Sequence, residues 1–187
     1  MVIETERLLI RRFLKEDAKD LFEYLSLPEI YKFEPGSPIS MEEAVEICNE
    51  REKGNRFLAV QLKDESKTIG HIYFSLLNPI DFQTWEIGYI FNPLYWNHGY
   101  CTEACMAVIK KAFSEMNVHR INANCNPKNN ASWKVLEKIG LKREGYKKEK
   151  AFFRKNEDGT PLWHDCFEYG LIEKDYSMSN HPTIAST

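Results

Sequence analysis

Apolar and polar residues alternate along this chain with two different periods, which predict strands in some segments and helices in others. A period of two predicts strands at residues 7–13, 57–62, 68–76, 83–91 and 120–125, and a long hairpin from 143–154 and 163–173. Helical spacing predicts helices at 17–25, from residue 100 onward and at 130–139. Ser40 and Glu43 have the spacing of a capping box, which predicts a further helix that begins there and runs to about Lys53. The resulting order, β-α-α-β-β-β-α-β-α-β-β, predicts one mixed α/β domain.

The most regular helix follows the loop 92–98 and begins just after Gly99. Its apolar residues form an unbroken stripe: Ala104, Cys105, Val108, Ile109, Ala112, Phe113 and Met116. Amides at a helix N-terminus are unpaired and the dipole favours an anion there, while a glycine lets the backbone approach a phosphate closely. The arrangement suits a pyrophosphate, although a plain strand–helix connection would have the same pattern. The sequence contains neither GxxxxGK[ST] nor GxGxxG, which argues against a P-loop and a Rossmann dinucleotide site.

Composition restricts the class of protein further. A length of 187 residues fits one domain, and 43% hydrophobic with 28% charged residues is typical of a globular protein. A net charge of −3 argues against a nucleic-acid partner. Because there is no apolar run of about 18 residues and no signal-peptide pattern, we predict a cytoplasmic protein with no membrane partner. We predict the domain at 1–176 and a disordered polar tail at 177–187.

The five cysteines, Cys48, Cys101, Cys105, Cys125 and Cys166, include no CxxC pair. We therefore predict free thiols that pack as small buried side chains, and no metal site. Helical spacing would place His98, Cys101 and Cys105 on one face, so a metal cluster is the alternative. Zinc sites, however, usually have two closely spaced pairs of ligands.

Four segments carry a family resemblance: IETERLLIRRF, EIGYIFNPLYWNHGYCTEACMAVIKKAF, CNPKNNASWKVLEKIGL and WHDCFEYGLI. In this order, over about residues 3–173, they resemble the GNAT superfamily of acyl-CoA-dependent N-acetyltransferases, and most closely its RimJ/RimL-like branch, which acetylates ribosomal proteins. The resemblance implies a single-domain GNAT fold, a mixed central β-sheet with splayed middle strands flanked by helices. It also implies direct acetyl transfer, in a ternary complex, from acetyl-CoA as co-substrate to a primary amine, either a protein N-terminus or a small molecule. Many members are dimers, so a homodimer is expected.

The same resemblance assigns the acetyl-CoA site. The family's phosphate loop, Arg/Gln-x-x-Gly-x-Gly/Ala, falls on residues 96–101, so the residues expected to hold the pyrophosphate are Asn97, His98, Gly99, Tyr100, Cys101 and Thr102. Trp96 replaces the family's Arg or Gln, and Cys101 replaces the small last residue, which would slightly weaken cofactor binding. The pantetheine arm is expected to pair with the backbone near Ile90 and Phe91. The side-chain amides of Asn126 and Asn129 match cofactor contacts, although Asn-Pro and Asn-Asn are also strong turn formers.

Acetyl transfer to an amine needs a base for the amine proton, a backbone N–H near the carbonyl oxygen and a proton for the leaving thiolate. Glu86 is the candidate base, because it lies among apolar residues on the strand beside the thioester; the alternative is a structural carboxylate bonded to a neighbouring strand. The common family acid is a Tyr, but Leu136 stands in its place. Ser132, which matches a serine of this branch, is then the candidate acid, unless it only helps to start a helix.

The sequence leaves open the roles of several other polar residues and an alternative function. His164 and Asp165 of the last hairpin are candidate substrate contacts or edge residues, and Glu103 is expected to complement the helix dipole. A cluster of basic residues on the late hairpin, Lys147, Lys148, Lys150, Arg154 and Lys155, is read as solvated charge, with docking of an acidic acceptor as the alternative. A non-catalytic module that binds or senses acyl-CoA is the alternative to an enzyme.

Overall fold

A computed structural model describes residues 1–180, in which eight strands form one sheet and five helices flank it. The strands are β1 (Ile3–Glu4), β2 (Leu8–Arg12), β3 (Phe57–Leu62), β4 (Lys67–Leu76), β5 (Thr84–Phe91), β6 (Arg120–Cys125), β7 (Lys142–Lys155) and β8 (Pro161–Ile172). The helices are α1 (Ala18–Leu25), α2 (Met41–Lys53), α3 (Tyr100–Glu115), α4 (Asn130–Lys138) and α5 (Glu173–Asn180). The strand order is β1-β2-β3-β4-β5-β6-β8-β7.

The sheet divides at β5 and β6, which run parallel and pair over only three positions, ending at Glu86 with Asn122. Beyond that point β5 continues to pair with β4 as far as Phe91, and β6 continues to pair with β8 as far as Cys125. The two strands therefore separate towards their carboxyl ends and open a cleft between them. The splayed middle strands that the family resemblance implied are confirmed. The carboxyl ends of strands are where α/β sheets bind ligands.

Helices cover both faces of the sheet, and the alternation along β5 sends its side chains to both. Ile87 and Phe91 belong to a core cluster with α3 and α4. Ile90 packs instead against the second cluster, which α1 and α2 form with β3. Consequently β5 contributes residues to the cleft from both layers of the domain.

Local signals in the sequence determine where the helices begin. Ser40 and Glu43 form the predicted capping box of α2, in which each side chain accepts a hydrogen bond from the other residue's backbone N–H. The Asn129 side chain caps α4 by accepting a hydrogen bond from the Ser132 N–H at 3.2 Å. Helix α3 begins differently: Gly99 precedes it with a φ of 81° and provides no side-chain cap.

Most predicted elements are confirmed within one or two residues, with differences at the two ends of the chain. The short strand β1 was not predicted, because a two-residue strand has no periodicity to detect. The predicted disordered tail begins at residue 177, but helix α5 continues to Asn180. Its Tyr176 ring packs at 5.0 Å from Phe113, which anchors the helix to α3. The remaining tail, 181–187, lies outside the described residues.

Within residues 1–180, no helix is both long and apolar enough to cross a membrane. All five cysteines are free thiols, and the four other than Cys101 are buried, as predicted.

Candidate active site

A cavity of about 450 Å³ opens where β5 and β6 separate, and its volume lies in the range of small-molecule sites. Its walls include β5 from Glu86 to Ile90, with Asn124 of β6 and Ser132 and Leu136 of α4. The cavity thus brings together Glu86 and Ser132, the two residues predicted to be catalytic.

Glu86 is half-buried at the last paired position of β5, directly before the strands separate. Its Oε1 accepts a hydrogen bond from the Asn124 Nδ2 at 2.8 Å. No hydrogen bond from residues 1–180 reaches the second carboxylate oxygen, Oε2. The carboxylate is therefore bonded to the neighbouring strand, as the structural alternative proposed, and still has an oxygen available in the cavity.

Ser132 contacts a residue that the sequence did not reveal as functional, Tyr89 of β5. The Tyr89 hydroxyl donates to the Ser132 carbonyl oxygen at 2.8 Å and lies 3.2 Å from the Ser132 hydroxyl. Burial raises the pKa of Tyr89 well above its usual value, so the phenol stays neutral. Position 136 thus has Leu where many family members have the acidic Tyr, but the hydroxyl of Tyr89 reaches α4 from β5.

The loop before α3 has the geometry of an anion-binding site. Asn97 and Gly99 both have left-handed backbone conformations, with φ of 63° and 81°, which turn the chain sharply into the helix. Because no side chain caps α3, the amides of its first turn are left without a partner from a cap. Tyr100, Cys101 and Thr102 form that first turn and are half-buried. This geometry fits the pyrophosphate of a coenzyme A molecule.

Contacts from the chain's N-terminus hold this loop in place. Arg7 Nη1 donates to the His98 carbonyl at 3.0 Å, and the Arg7 guanidinium pairs with Glu103 at 2.6 Å. Glu103 also accepts a hydrogen bond from the Thr5 hydroxyl at 2.5 Å. Glu103 lies in the first turn of α3, where a negative charge complements the dipole as predicted, but its contacts give it a second role as an anchor. His98 stacks on Tyr100 with ring centres 5.7 Å apart.

Trp96, a departure from the family motif, also has a structural role. Its indole N–H donates to the Phe91 carbonyl at 2.8 Å, which joins the end of β5 to the loop before α3. Ile90 lines the cavity, whereas the Phe91 side chain is buried in the core. Burial raises the pKa of the Cys101 thiol, so this residue stays protonated within the loop.

The side chains of Asn126 and Asn129 form hydrogen bonds with other residues of this chain. Asn126 bonds to the His164 Nδ1 at 2.8 Å and accepts from the Lys128 N–H at 2.9 Å, while Asn129 caps α4. The turn interpretation of these two residues is confirmed, and their contact with the cofactor stays a prediction. Asp165 faces its own hairpin, where it accepts hydrogen bonds from the Tyr146 hydroxyl and from the Glu149 N–H.

Two charged residues of the cavity wall, Arg51 and Glu34, were missed in the sequence. Arg51 could have been noticed, because it follows the buried residues Ala44 and Cys48 at helical spacing and so puts a charge on the buried face of α2. Glu34 lies in a turn-rich segment without periodicity. Burial raises the pKa of Glu34 to about 7.

Comparison with known proteins identifies the family. A model described as "Acetyltransferase (GNAT) domain" matches residues 7–142. The Bacillus subtilis protein YnaD, named an uncharacterized N-acetyltransferase, is 39% identical over 95% of this chain and 100% of its own length. The [ribosomal protein uS5]-alanine N-acetyltransferase of Escherichia coli is 28% identical over 94% of this chain and 92% of its own.

A solved structure agrees with these relatives. The GNAT-family acetyltransferase from Bacillus anthracis matches with a TM-score of 0.82 and 37% identity, covering 93% of this chain and 99% of the other. The similarity to the RimJ/RimL-like branch is confirmed by the ribosomal-protein acetyltransferase among the relatives. The chain belongs to the GNAT family of acetyltransferases and is an acetyl-CoA-dependent N-acetyltransferase.

Proposed function

We propose that this chain acetylates a primary amine held in the cavity between β5 and β6, with Glu86 as the general base. The observation that carries the proposal is the position of Glu86, where the strands separate, with an Oε2 that accepts no hydrogen bond from residues 1–180. When bound, acetyl-CoA supplies the activated acetyl thioester that the amine attacks. The acceptor is a protein N-terminus or a small-molecule amine, and the E. coli relative's name favours the protein N-terminus.

Each step can be assigned to a group of this chain. Glu86 takes the proton of the acceptor ammonium, directly or through a water molecule, so that the amine is neutral when it attacks. Backbone amides of β5 beyond Glu86, which no strand pairs on the β6 side, are available to stabilise the developing oxyanion. Ser132 donates its hydroxyl proton to the leaving sulfur and regains one from water, while Tyr89, whose hydroxyl donates to the Ser132 carbonyl, holds the Ser132 hydroxyl in position. The loop 97–102 holds the pyrophosphate through its backbone amides, and Asn126 and Asn129 add side-chain contacts to the coenzyme.

The proposed roles of Ser132 and Tyr89 lead to a prediction about kcat. We expect Ser132→Ala to lower kcat roughly tenfold, because the thiolate then depends on water for its proton. Tyr89→Phe removes the hydroxyl that contacts both the carbonyl and the hydroxyl of Ser132, and it is expected to cost about 1 kcal/mol, or roughly fivefold in kcat. Steady-state kinetics would measure both, with Tyr146→Phe, a tyrosine of the distant hairpin, as the control. If the double variant loses no more than Ser132→Ala alone, Tyr89 acts through Ser132; full additivity would contradict the positioning role.

The first experiment compares thermal unfolding with and without saturating acetyl-CoA, with NAD and ATP as control ligands. At 100 times its dissociation constant a ligand adds about 2.7 kcal/mol, which corresponds to a Tm increase of roughly 5–10 °C for a chain of this length. A panel of amines would then be tested for turnover. Stabilisation by acetyl-CoA with acetylation of an amine is expected. Stabilisation without turnover on any amine would favour the non-catalytic acyl-CoA-binding module, and no stabilisation would contradict the cofactor site.

A homodimer and a cytoplasmic location stay predictions from the sequence. Size-exclusion chromatography with light scattering would measure the first, and cell fractionation the second.

A further inference from the structure

Arg51 of α2 lines the cavity and makes no hydrogen bond or ion pair with any residue of 1–180. The Nη1 atom of its guanidinium is buried without a hydrogen-bond partner. A buried polar group without a partner is unfavourable, and an unpaired charge is more so. Burial accordingly lowers the pKa of Arg51. The side chain is therefore held at the wall of the cavity at a cost that no hydrogen bond or ion pair within residues 1–180 offsets.

Aromatic packing explains where Arg51 lies but does not supply an oxygen. Its guanidinium stacks over the Phe57 ring at 4.0 Å and faces the Phe13 ring at 5.1 Å. Stacking uses the face of the planar group, and the Nη1 donors at its edge have no hydrogen-bond partner within residues 1–180. Planar guanidinium groups pair well with carboxylate and carbonyl oxygens.

Glu34 does not neutralise Arg51, although both residues line the same cavity. No ion pair within 4.0 Å joins them, and no hydrogen bond to Glu34 is made by the described part of the chain. The charge of Glu34 acts instead on the Cys125 thiol of β6: burial and the Glu34 carboxylate both raise the pKa of that thiol. The cavity therefore holds a free cation and a free carboxylate at different places on its wall.

The distance between Arg51 and the reacting amine follows from the strand register. Phe57 of β3 pairs with Tyr73 of β4, which in turn pairs with Gly88 of β5. Two strand spacings separate Phe57, beneath the guanidinium, from Gly88, or roughly 10 Å. Glu86, the proposed base, lies two residues from Gly88 on the same strand. A group bound by Arg51 is thus several bonds away from the amine that Glu86 deprotonates.

We propose that the acceptor carries, several bonds from its primary amine, a carboxylate or carbonyl oxygen that Arg51 binds in the cavity. This inference rests on the proposed function and specifies its substrate class. An amino acid with a remote carboxylate and a peptide with backbone carbonyls both have the required chemistry. A polyamine or a simple alkylamine has no such oxygen, so it offers nothing for Arg51 to bind.

The test uses acceptors matched in length. The wild-type protein is assayed with 6-aminohexanoate against hexylamine, and with trialanine amide against spermidine. We expect the oxygen-bearing member to have a roughly tenfold or greater advantage in kcat/KM in at least one pair, and the pair in which it appears identifies the acid or the carbonyl as the source. Arg51→Met is expected to reduce that ratio to near one, mainly through KM. Equal use of both members by the wild type would overturn the proposal, as would a ratio that Arg51→Met leaves unchanged.

A stability measurement separates binding from a structural role. Methionine keeps the apolar contact with Phe13 and Phe57 and removes the unpaired charge, so Arg51→Met is expected to have the same or a higher Tm than the wild type. Arg56→Gln, an exposed arginine outside the cavity, is the control. A clear decrease in Tm together with an unchanged acceptor ratio would assign Arg51 to the core and overturn the proposal.

Calorimetry distinguishes a failure of this inference from a failure of the proposed function. Binding of 6-aminohexanoate and of trialanine amide is measured in the presence of coenzyme A, without any turnover. Binding that Arg51→Met weakens roughly tenfold would support the inference even if no amine were acetylated, in which case the proposed function alone would fail. Binding of equal strength in both proteins would overturn the inference even if acetylation were efficient.

Discussion

Glu86→Gln is expected to lower kcat roughly 100-fold or more, because the glutamine amide cannot accept the proton that the attacking amine must lose. The substitution preserves the shape of the side chain, and its amide oxygen can still accept the hydrogen bond from Asn124. Strand pairing at this position should therefore remain, and the affinity for acetyl-CoA should change less than twofold. Steady-state kinetics with calorimetric binding of acetyl-CoA would measure both quantities.

Two further variants test whether the loss of kcat comes from the Glu86 carboxylate itself. Glu65→Gln changes a carboxylate that binds Tyr95 outside the cavity, so it should retain wild-type kcat. Asn124→Ala removes the partner of Glu86 but keeps the base, and a moderate loss of kcat is expected because the carboxylate is no longer oriented. If Glu86→Gln retained more than a third of the wild-type kcat, Glu86 would be a structural carboxylate of the β5–β6 pair.

Asp17→Asn is expected to lower the free energy of unfolding by about 3 kcal/mol, since it breaks a buried ion pair on one side. Asp17 is 4% exposed, and its two oxygens accept hydrogen bonds from Arg11 at 2.7 and 2.8 Å. They also accept from the Thr68 hydroxyl and the Leu14 N–H, each at 2.7 Å. These contacts join β2 and β4 to the start of α1. For a chain of this length the expected decrease in Tm is roughly 10 °C.

The matched control is Glu115→Gln, which breaks the exposed Lys111–Glu115 pair on the surface of α3. An exposed pair of this kind contributes about 0.5 kcal/mol or less. Urea unfolding of the three proteins would compare them. Equal loss in both variants would mean that the Arg11–Asp17 pair is no more important than a surface pair.

The effect of Asp17 should depend on pH in a direction that follows from its environment. Burial opposes ionisation of Asp17, but the hydrogen bonds from Arg11, Thr68 and Leu14 together lower its pKa below the ordinary value of 3.8. A carboxyl with a lowered pKa in the folded state contributes stability above the unfolded-state value and loses it as the pH falls through the folded-state value. The difference between wild type and Asp17→Asn should therefore be constant at neutral pH and decrease below about pH 4.

Local order in this protein follows from the sequence alone. Phe57–Leu62 and Arg120–Cys125 are strands at the predicted residues, and Ser40 with Glu43 forms the predicted cap. Such features depend on backbone sterics and on contacts between residues a few positions apart, which the spacing of residue types records. The sharp entry into α3 belongs to the same category, because Gly99 and the helix start are adjacent in the chain.

Only the tertiary structure determined which distant side chains meet. Tyr89 reaches Ser132 across 43 positions, and Arg154, read from the sequence as solvated charge, donates to the Tyr31 carbonyl across 123 positions. Arg51 has no hydrogen-bond or ion-pair partner within residues 1–180, because packing of α2 on the sheet carries it into the cavity, where no described carboxylate lies within 4.0 Å of it. The spacing of residue types in the sequence does not predict such contacts, because they depend on how whole elements pack against each other. The sequence therefore determined the elements and the loop before α3, and packing decided which side chains line the cavity between β5 and β6.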